Sequence, residues 1–353
     1  MARDVAWLLL GALTIGGRHW CGPGVGIGGR QELLIGCSDG SLLILSTADL
    51  DLIQRASQIE GEATMVDMSP DGMHIAMADS ERCVGIYRRE RNVLESGKEV
   101  PWLYLGRYRS HHGAIVGLQF VEDKDAGIIR LLSLAQDRVL VEYDLANSFA
   151  ATGIVVRSAV SVEQTAVPTA LLILPPGAHP GEDPIRPLVV SANNEYKLKI
   201  LDVLGLSGVH DERPLPSQDS HCVQTVLGPT YGLSALNSLT MLPGSDTDKR
   251  YCVYTTPEKV VGMMRLPLDG NPNSCMGLIA HAGPVAGAVI SYDGSMVLTT
   301  GGSGKLHRSA FGTALLAELH LQPTAGAPKR ICHILYDSNG VRPYIPTLLS
   351  FAR

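Results

Sequence analysis

Pairs of short apolar segments joined by tight polar turns recur along this chain, and that recurrence limits the fold more than any other feature. "MVDMSPDGMHIAMADS" (Met65 to Ser80) aligns with "GAVISYDGSMVLTTGGS" (Gly287 to Ser303). Each has an apolar strand, a Ser-x-Asp-Gly turn, a second apolar strand and a small or polar break. The turns are Ser69-Pro70-Asp71-Gly72 and Ser291-Tyr292-Asp293-Gly294. Gly reaches positive φ without steric cost and Asp bonds its own backbone, so each reads as a hairpin connection. "HHGAIVGLQF" (His111 to Phe120) followed by "RLLSLAQDRVLVEYDL" (Arg130 to Leu145) is a third unit, with a tight break at Ala135 to Arg138. Weaker copies run from Glu32 to Thr47, Pro187 to Val203 and Lys249 to Leu266, making six units.

Ser69 and Ser291 lie 222 residues apart and belong to units two and six, so one repeat averages about 55 residues. A four-stranded propeller blade takes about 40–45. The excess has visible hosts in Pro175 to Pro187, Ser207 to His221 and Pro243 to Arg250, which are rich in Pro, Gly and charge. The chain is therefore predicted to be all-β: a WD-type β-propeller of seven four-stranded blades with divergent repeats. Residues 1–30 read as an N-terminal segment, a closing strand or loop. Residues 31–337 read as the propeller, and 338–353 as a C-terminal docking tail. The apolar N-terminal stretch and "KRICHILYD" (Lys329 to Asp337) are expected to complete the last blade together and so reduce exposed strand edges. Hydrophobic residues make up 45% of the 353, enough for a large core, but aromatics only 5%, so Leu, Val, Ile and Ala must fill it.

In WD-repeat blades a His before the first strand, a Ser or Thr, a turn Asp and a Trp form a buried polar network. The third unit offers His112, Ser133, Asp137 and, in place of Trp, Tyr143; the sixth offers His281 and Thr299. These residues satisfy one another's hydrogen bonds, so the expected role is structural. No catalytic, cofactor-binding or metal-binding residues are assigned. Adjacent His111 and His112 would point to opposite faces of a strand and cannot easily chelate one ion. "GPGVGIGG" (Gly22 to Gly29) contains a formal G-x-G-x-x-G, but a β-type segment follows where a phosphate site needs a helix. "DKDAG" (Asp123 to Gly127) and "DSNG" (Asp337 to Gly340) lack the terminal Glu of a calcium loop. The seven cysteines are scattered, which fits buried thiols in a reducing compartment. Net charge is −6, giving no reason to expect nucleic acid or an anionic membrane as partner. The run Ala6 to Gly17 is too short to span a bilayer and makes a poor secretion signal, because Asp4 interrupts the basic region. Arg88, Arg89 and Arg91 on a basic edge, and Tyr344, Leu348 and Phe351 in the apolar tail, are candidate partner contacts.

"GRYRSHHGAIVGLQF" with "RLLSLAQDRVLVEYDL", then "LIAHAGPVAGAVISYDGSMVLTTGGS", and more weakly "GVRPYIP" resemble the C-terminal WD-repeat region of the cilia- and flagella-associated protein 251 family, also called WD-repeat-containing protein 66. The resemblance covers Gly106 to Arg353, with Glu32 to Arg91 matching only as generic blades. It implies a non-catalytic scaffold of the motile-cilium axoneme, in the calmodulin- and spoke-associated complex near the radial spoke base. The implied partners are axonemal proteins of that region, with calmodulin engaged indirectly. Two other readings share the repeats: a secreted propeller enzyme or ligand-binding module, and a WD-type scaffold of a non-ciliary assembly.

Overall fold

A computed structural model describes residues 32–46, 51–89, 101–123, 127–176, 178, 187–202, 222–230, 234–242, 250–271, 274–280, 284–290, 296–301 and 330–333. Their regular structure is all β, arranged in six sheets of strands consecutive in the chain. The first sheet holds β1 (Glu32–Gly36), β2 (Leu42–Ser46) and β3 (Leu52–Ala56). The second holds β4 (Ala63–Met68), β5 (His74–Asp79), β6 (Cys83–Arg88) and β7 (Leu103–Arg109). The third holds β8 (Ile115–Asp123), β9 (Ile128–Ala135), β10 (Val139–Phe149) and β11 (Gly153–Ser161). The fourth holds β12 (Pro168–Leu174), β13 (Leu188–Asn193), β14 (Lys197–Leu201) and β15 (Cys222–Leu227). The fifth holds β16 (Ser238–Met241), β17 (Tyr251–Thr255), β18 (Val260–Arg265) and β19 (Cys275–Ile279). These five are antiparallel meanders. In the sixth, β20 (Val285–Ile290) pairs antiparallel with β21 (Met296–Gly301), and β22 (Arg330–His333) pairs parallel with β21.

That last pairing corrects one expectation. Arg330–His333 joins the sixth sheet, where Lys329 to Asp337 was read as part of a seventh. A parallel partner cannot come from a tight hairpin and needs a long connection; residues 302–329 separate the two strands.

The first strand of each sheet packs against the first strand of the next: β1 on β4, β4 on β8, β8 on β12, β12 on β16 and β16 on β20. The apolar clusters lie between sheets. One joins Ala76, Ile86 and Leu105 of the second sheet to Phe120, Leu131 and Tyr143 of the third. Another joins Val121, Leu132 and Leu140 of the third to Leu171, Val189 and Leu201 of the fourth. Inner strands are thus covered on both faces, which explains why β5, β13 and β17 are buried at every residue and are mostly apolar. The last strands carry the exposure: β15 alternates until Val226, and Ile279 at the end of β19 is 75% exposed.

One turn recurs in five sheets with little sequence in common. Gly40, Arg82, Arg138, Tyr196 and Lys259 all have φ between 60° and 79° and sit at the same place, between β1 and β2, β5 and β6, β9 and β10, β13 and β14, and β17 and β18. Four are not Gly, a left-handed conformation costing about 1–2 kcal/mol each. Side chains offset this by organising the turn. Asp79 Oδ1 accepts from Glu81 N and Cys83 N, both at 2.9 Å, and Asn193 Oδ1 accepts from Glu195 N at 3.0 Å and Lys197 N at 3.1 Å. Two positions later in the turn, Asp39 and Asp137 use Oδ1 to accept from Ser41 N and Val139 N. The Ser69 to Gly72 turn also closes: Gly72 N donates to Ser69 O at 2.9 Å with φ at 68°.

Candidate functional site

The third sheet holds the densest polar network. Ser133 on β9 is fully buried, because its strand is covered on both sides. Its Oγ is hydrogen-bonded to Tyr143 Oη on β10 at 2.9 Å and to His111 Nε2 at 2.7 Å. His111 Nδ1 faces Asp137 Oδ2 at 3.2 Å, and Ser110 Oγ is hydrogen-bonded to Tyr143 Oη at 2.6 Å. Asp137 Oδ2 also accepts from His112 N at 2.7 Å.

The network histidine is therefore His111, where the sequence reading gives His112: in the loop before β8 it is the His111 ring that reaches Ser133 and Asp137. His112 contributes its backbone N–H and is otherwise exposed. In the sixth sheet Val285 pairs with Gly301 as Ile115 pairs with Ala135, which puts Thr299 at the position of Ser133; Thr299 is buried. His281 lies four residues before Val285, as His111 does before Ile115, but outside the described residues.

Ser133, His111 and Asp137 have the connectivity of a nucleophile–base–acid triad, but not its access. Ser133 and His111 are 0% and 1% exposed, and Ser133 Oγ is held by two partners, so no substrate carbonyl can reach it. Burial lowers the His111 pKa despite the Asp137 carboxylate, leaving the ring neutral. Burial would raise the Asp137 pKa, but the N–H groups of His112 and Val139 bring it below the usual carboxylate value. Burial pushes the Tyr143 hydroxyl up to about 12. Both nitrogens of His111 are occupied, so it offers no metal a lone pair, and among the described residues no three His, Cys, Asp or Glu side chains form a metal-sized cluster. No helix among the described residues is long and apolar enough to cross a membrane.

The second sheet shows the same positions without the network. Register alignment places Ile59, Met77 and Tyr87 where the third sheet has His111, Ser133 and Tyr143. All three are buried, and Tyr87 Oη has no hydrogen-bond partner among the described residues.

Other charged groups are structural and had no signal in the sequence. Arg130 on β9 joins Asp123 on β8 at 2.8 Å and Glu142 on β10 at 2.7 Å, all three side chains at most 10% exposed. Asp123, the first residue of the "DKDAG" segment, is thus an ion-pair partner. Arg107 Nε donates to Asp79 Oδ2 at 2.7 Å and its Nη2 to Glu81. Arg89, read as a partner contact, donates to Glu32 Oε1 at 2.6 Å and stacks 4.5 Å over Trp102, fastening the first sheet to the second. Arg88 lies 5.7 Å over the half-exposed Phe149 ring and forms no ion pair among the described residues. Arg91, Tyr344, Leu348 and Phe351 lie outside the described residues, as do Gly22 to Gly29, Ala6 to Gly17 and Ser207 to His221.

No family model matches the chain. Cilia- and flagella-associated protein 251 from Pongo abelii is 30% identical over 272 residues, covering 76% of this chain and 21% of that protein. The Mus musculus protein of the same name is 33% identical over 66% of this chain and 16% of its own length. The chain resembles cilia- and flagella-associated protein 251. The Chlamydomonas reinhardtii protein of that name agrees at 35% identity over 42% of this chain and 18% of its length. The chain thus spans about a fifth of the relatives' length. The names place these relatives in cilia and flagella.

Proposed function

We propose that this chain is a WD-type β-propeller serving as a non-catalytic scaffold in the axoneme of the cilium or flagellum. Within the axoneme it belongs to the calmodulin- and spoke-associated complex near the radial spoke base, and calmodulin reaches it through other subunits. The observation that carries this reading is the similarity to cilia- and flagella-associated protein 251 over 76% of the chain. The six sheets of the described residues, packed first strand to first strand, support the propeller reading. The buried network supports a structural role, since its groups are consumed in holding one sheet to its turn. Arg88, Arg89 and Arg91 and the 338–353 tail with Tyr344, Leu348 and Phe351 supply partner contacts.

Tagged chain expressed in ciliated cells, with mass spectrometry of isolated axonemes, tests the reading. Recovery with spoke-base proteins is the expected result. A chain confined to the cell body, or found in the medium with its N-terminus removed, would overturn it.

A further inference from the structure

A cleft of about 250 Å³ opens between the fourth and fifth sheets. Its base is apolar: Leu198 and Val226 from the fourth sheet, Met264 and Cys275 from the fifth, and Leu268 from the connection between β18 and β19. Leu227 stands at its edge, 60% exposed, on a last strand that among the described residues pairs only with β14. Gly228 and Gly270 line the walls with backbone, and Gly270 has φ at 72°. The volume lies below the roughly 300–1,000 Å³ of small-molecule pockets and suits one or two aliphatic side chains.

The rim carries two charges that differ in availability. Asp269 is tied into its own turn, with Oδ1 accepting from Asn271 N at 2.9 Å and Oδ2 from Ser274 Oγ at 3.5 Å. Arg265 is exposed and forms no ion pair among the described residues. We propose that this cleft docks a partner segment carrying a leucine-like side chain beside an Asp or Glu, with the side chain over Leu227 and Leu268 and the carboxylate on Arg265. Apolar contact supplies most of the affinity and the guanidinium selects an acidic neighbour. The inference deepens the scaffold reading by naming a partner's chemistry.

The test uses the full chain and fluorescein-labelled ten-residue peptides with one central Leu flanked by Glu, Ser or Lys, read by anisotropy. The Glu peptide is expected to bind about tenfold tighter than the Lys peptide, as a rim charge selects partners. Leu227→Asp should weaken Glu-peptide binding about fivefold or more by removing the apolar edge. Arg265→Glu should invert the preference, while Arg82→Glu, at an exposed turn, leaves it unchanged. Equal binding of all peptides, or binding indifferent to Leu227→Asp and Arg265→Glu, overturns the proposal. Recovery of the chain in axonemes is read separately. Peptide discrimination without axonemal recovery refutes the ciliary reading alone; axonemal recovery without discrimination refutes the cleft alone.

Discussion

Tyr87→Phe and Tyr143→Phe are expected to move stability in opposite directions, although the two residues occupy the same position in successive sheets. Both rings are fully buried, at 0% and 1% exposure, so neither substitution changes packing volume much. Tyr143 Oη is hydrogen-bonded to Ser110 and Ser133, and removing it loses two bonds worth about 0.5–1.5 kcal/mol each. Ser133 keeps His111 as partner, so the loss stays near 1–3 kcal/mol. Tyr87 Oη has no partner among the described residues, and an unsatisfied buried hydroxyl costs about 1–3 kcal/mol, which Phe would recover in part. The variants should therefore differ by about 2–4 kcal/mol. Guanidinium midpoints at unchanged m report the global effect. Hydrogen exchange read separately over Cys83–Arg88 and Val139–Phe149 guards against sheets that unfold independently. Destabilisation of similar size in both variants would refute the reasoning, because it would mean that the Tyr87 hydroxyl is paired.

Three further outcomes follow from the same geometry. His111→Ala should cost about 2–4 kcal/mol, by breaking a buried network and opening a cavity, while His112→Ala should stay within about 0.5 kcal/mol; thermal unfolding of the pair decides which histidine is internal. Stability should fall on acidification. Burial lowers the pKa of both His74 and His111, so the unfolded chain binds more protons below its histidine pKa of about 6.5. The contribution is complete above that value and is lost as pH falls through it; unfolding midpoints at pH 7.5 and 5.5 should show a decrease that His74→Gln reduces. Arg130→Met should cost about 3 kcal/mol, since it removes the cation between Asp123 and Glu142 in the interior while Arg157 stays 3.5 Å from Glu142, and a triple variant with Asn at 123 and Gln at 142 should regain much of it.

The hairpins were legible because their chemistry is local. The Ser-x-Asp-Gly turn and the apolar runs act through near neighbours, so Ser69 to Gly72 and Ala135 to Arg138 could be read directly. The five equivalent left-handed turns were less visible, because Asp79, Asn193, Asp39 and Asp137 organise the same backbone from two different positions. Nothing local marks Arg130 as an ion-pair hub, since its carboxylates arrive from neighbouring strands.

What the amino-acid sequence determined by itself was the class of structure: repeated apolar pairs with turn residues between them can only be buried as stacked short-stranded sheets. Which residues meet across those sheets was decided by tertiary structure. The loop before β8 turns the His111 ring onto Ser133 and leaves His112 exposed with its N–H on Asp137, a choice between adjacent residues that their local sequence does not make. The pairing of β22 with β21, the fastening of Arg89 to Glu32 and the cleft beside Leu227 likewise depend on segments far apart in the chain, brought together only when the sheets bury their shared faces.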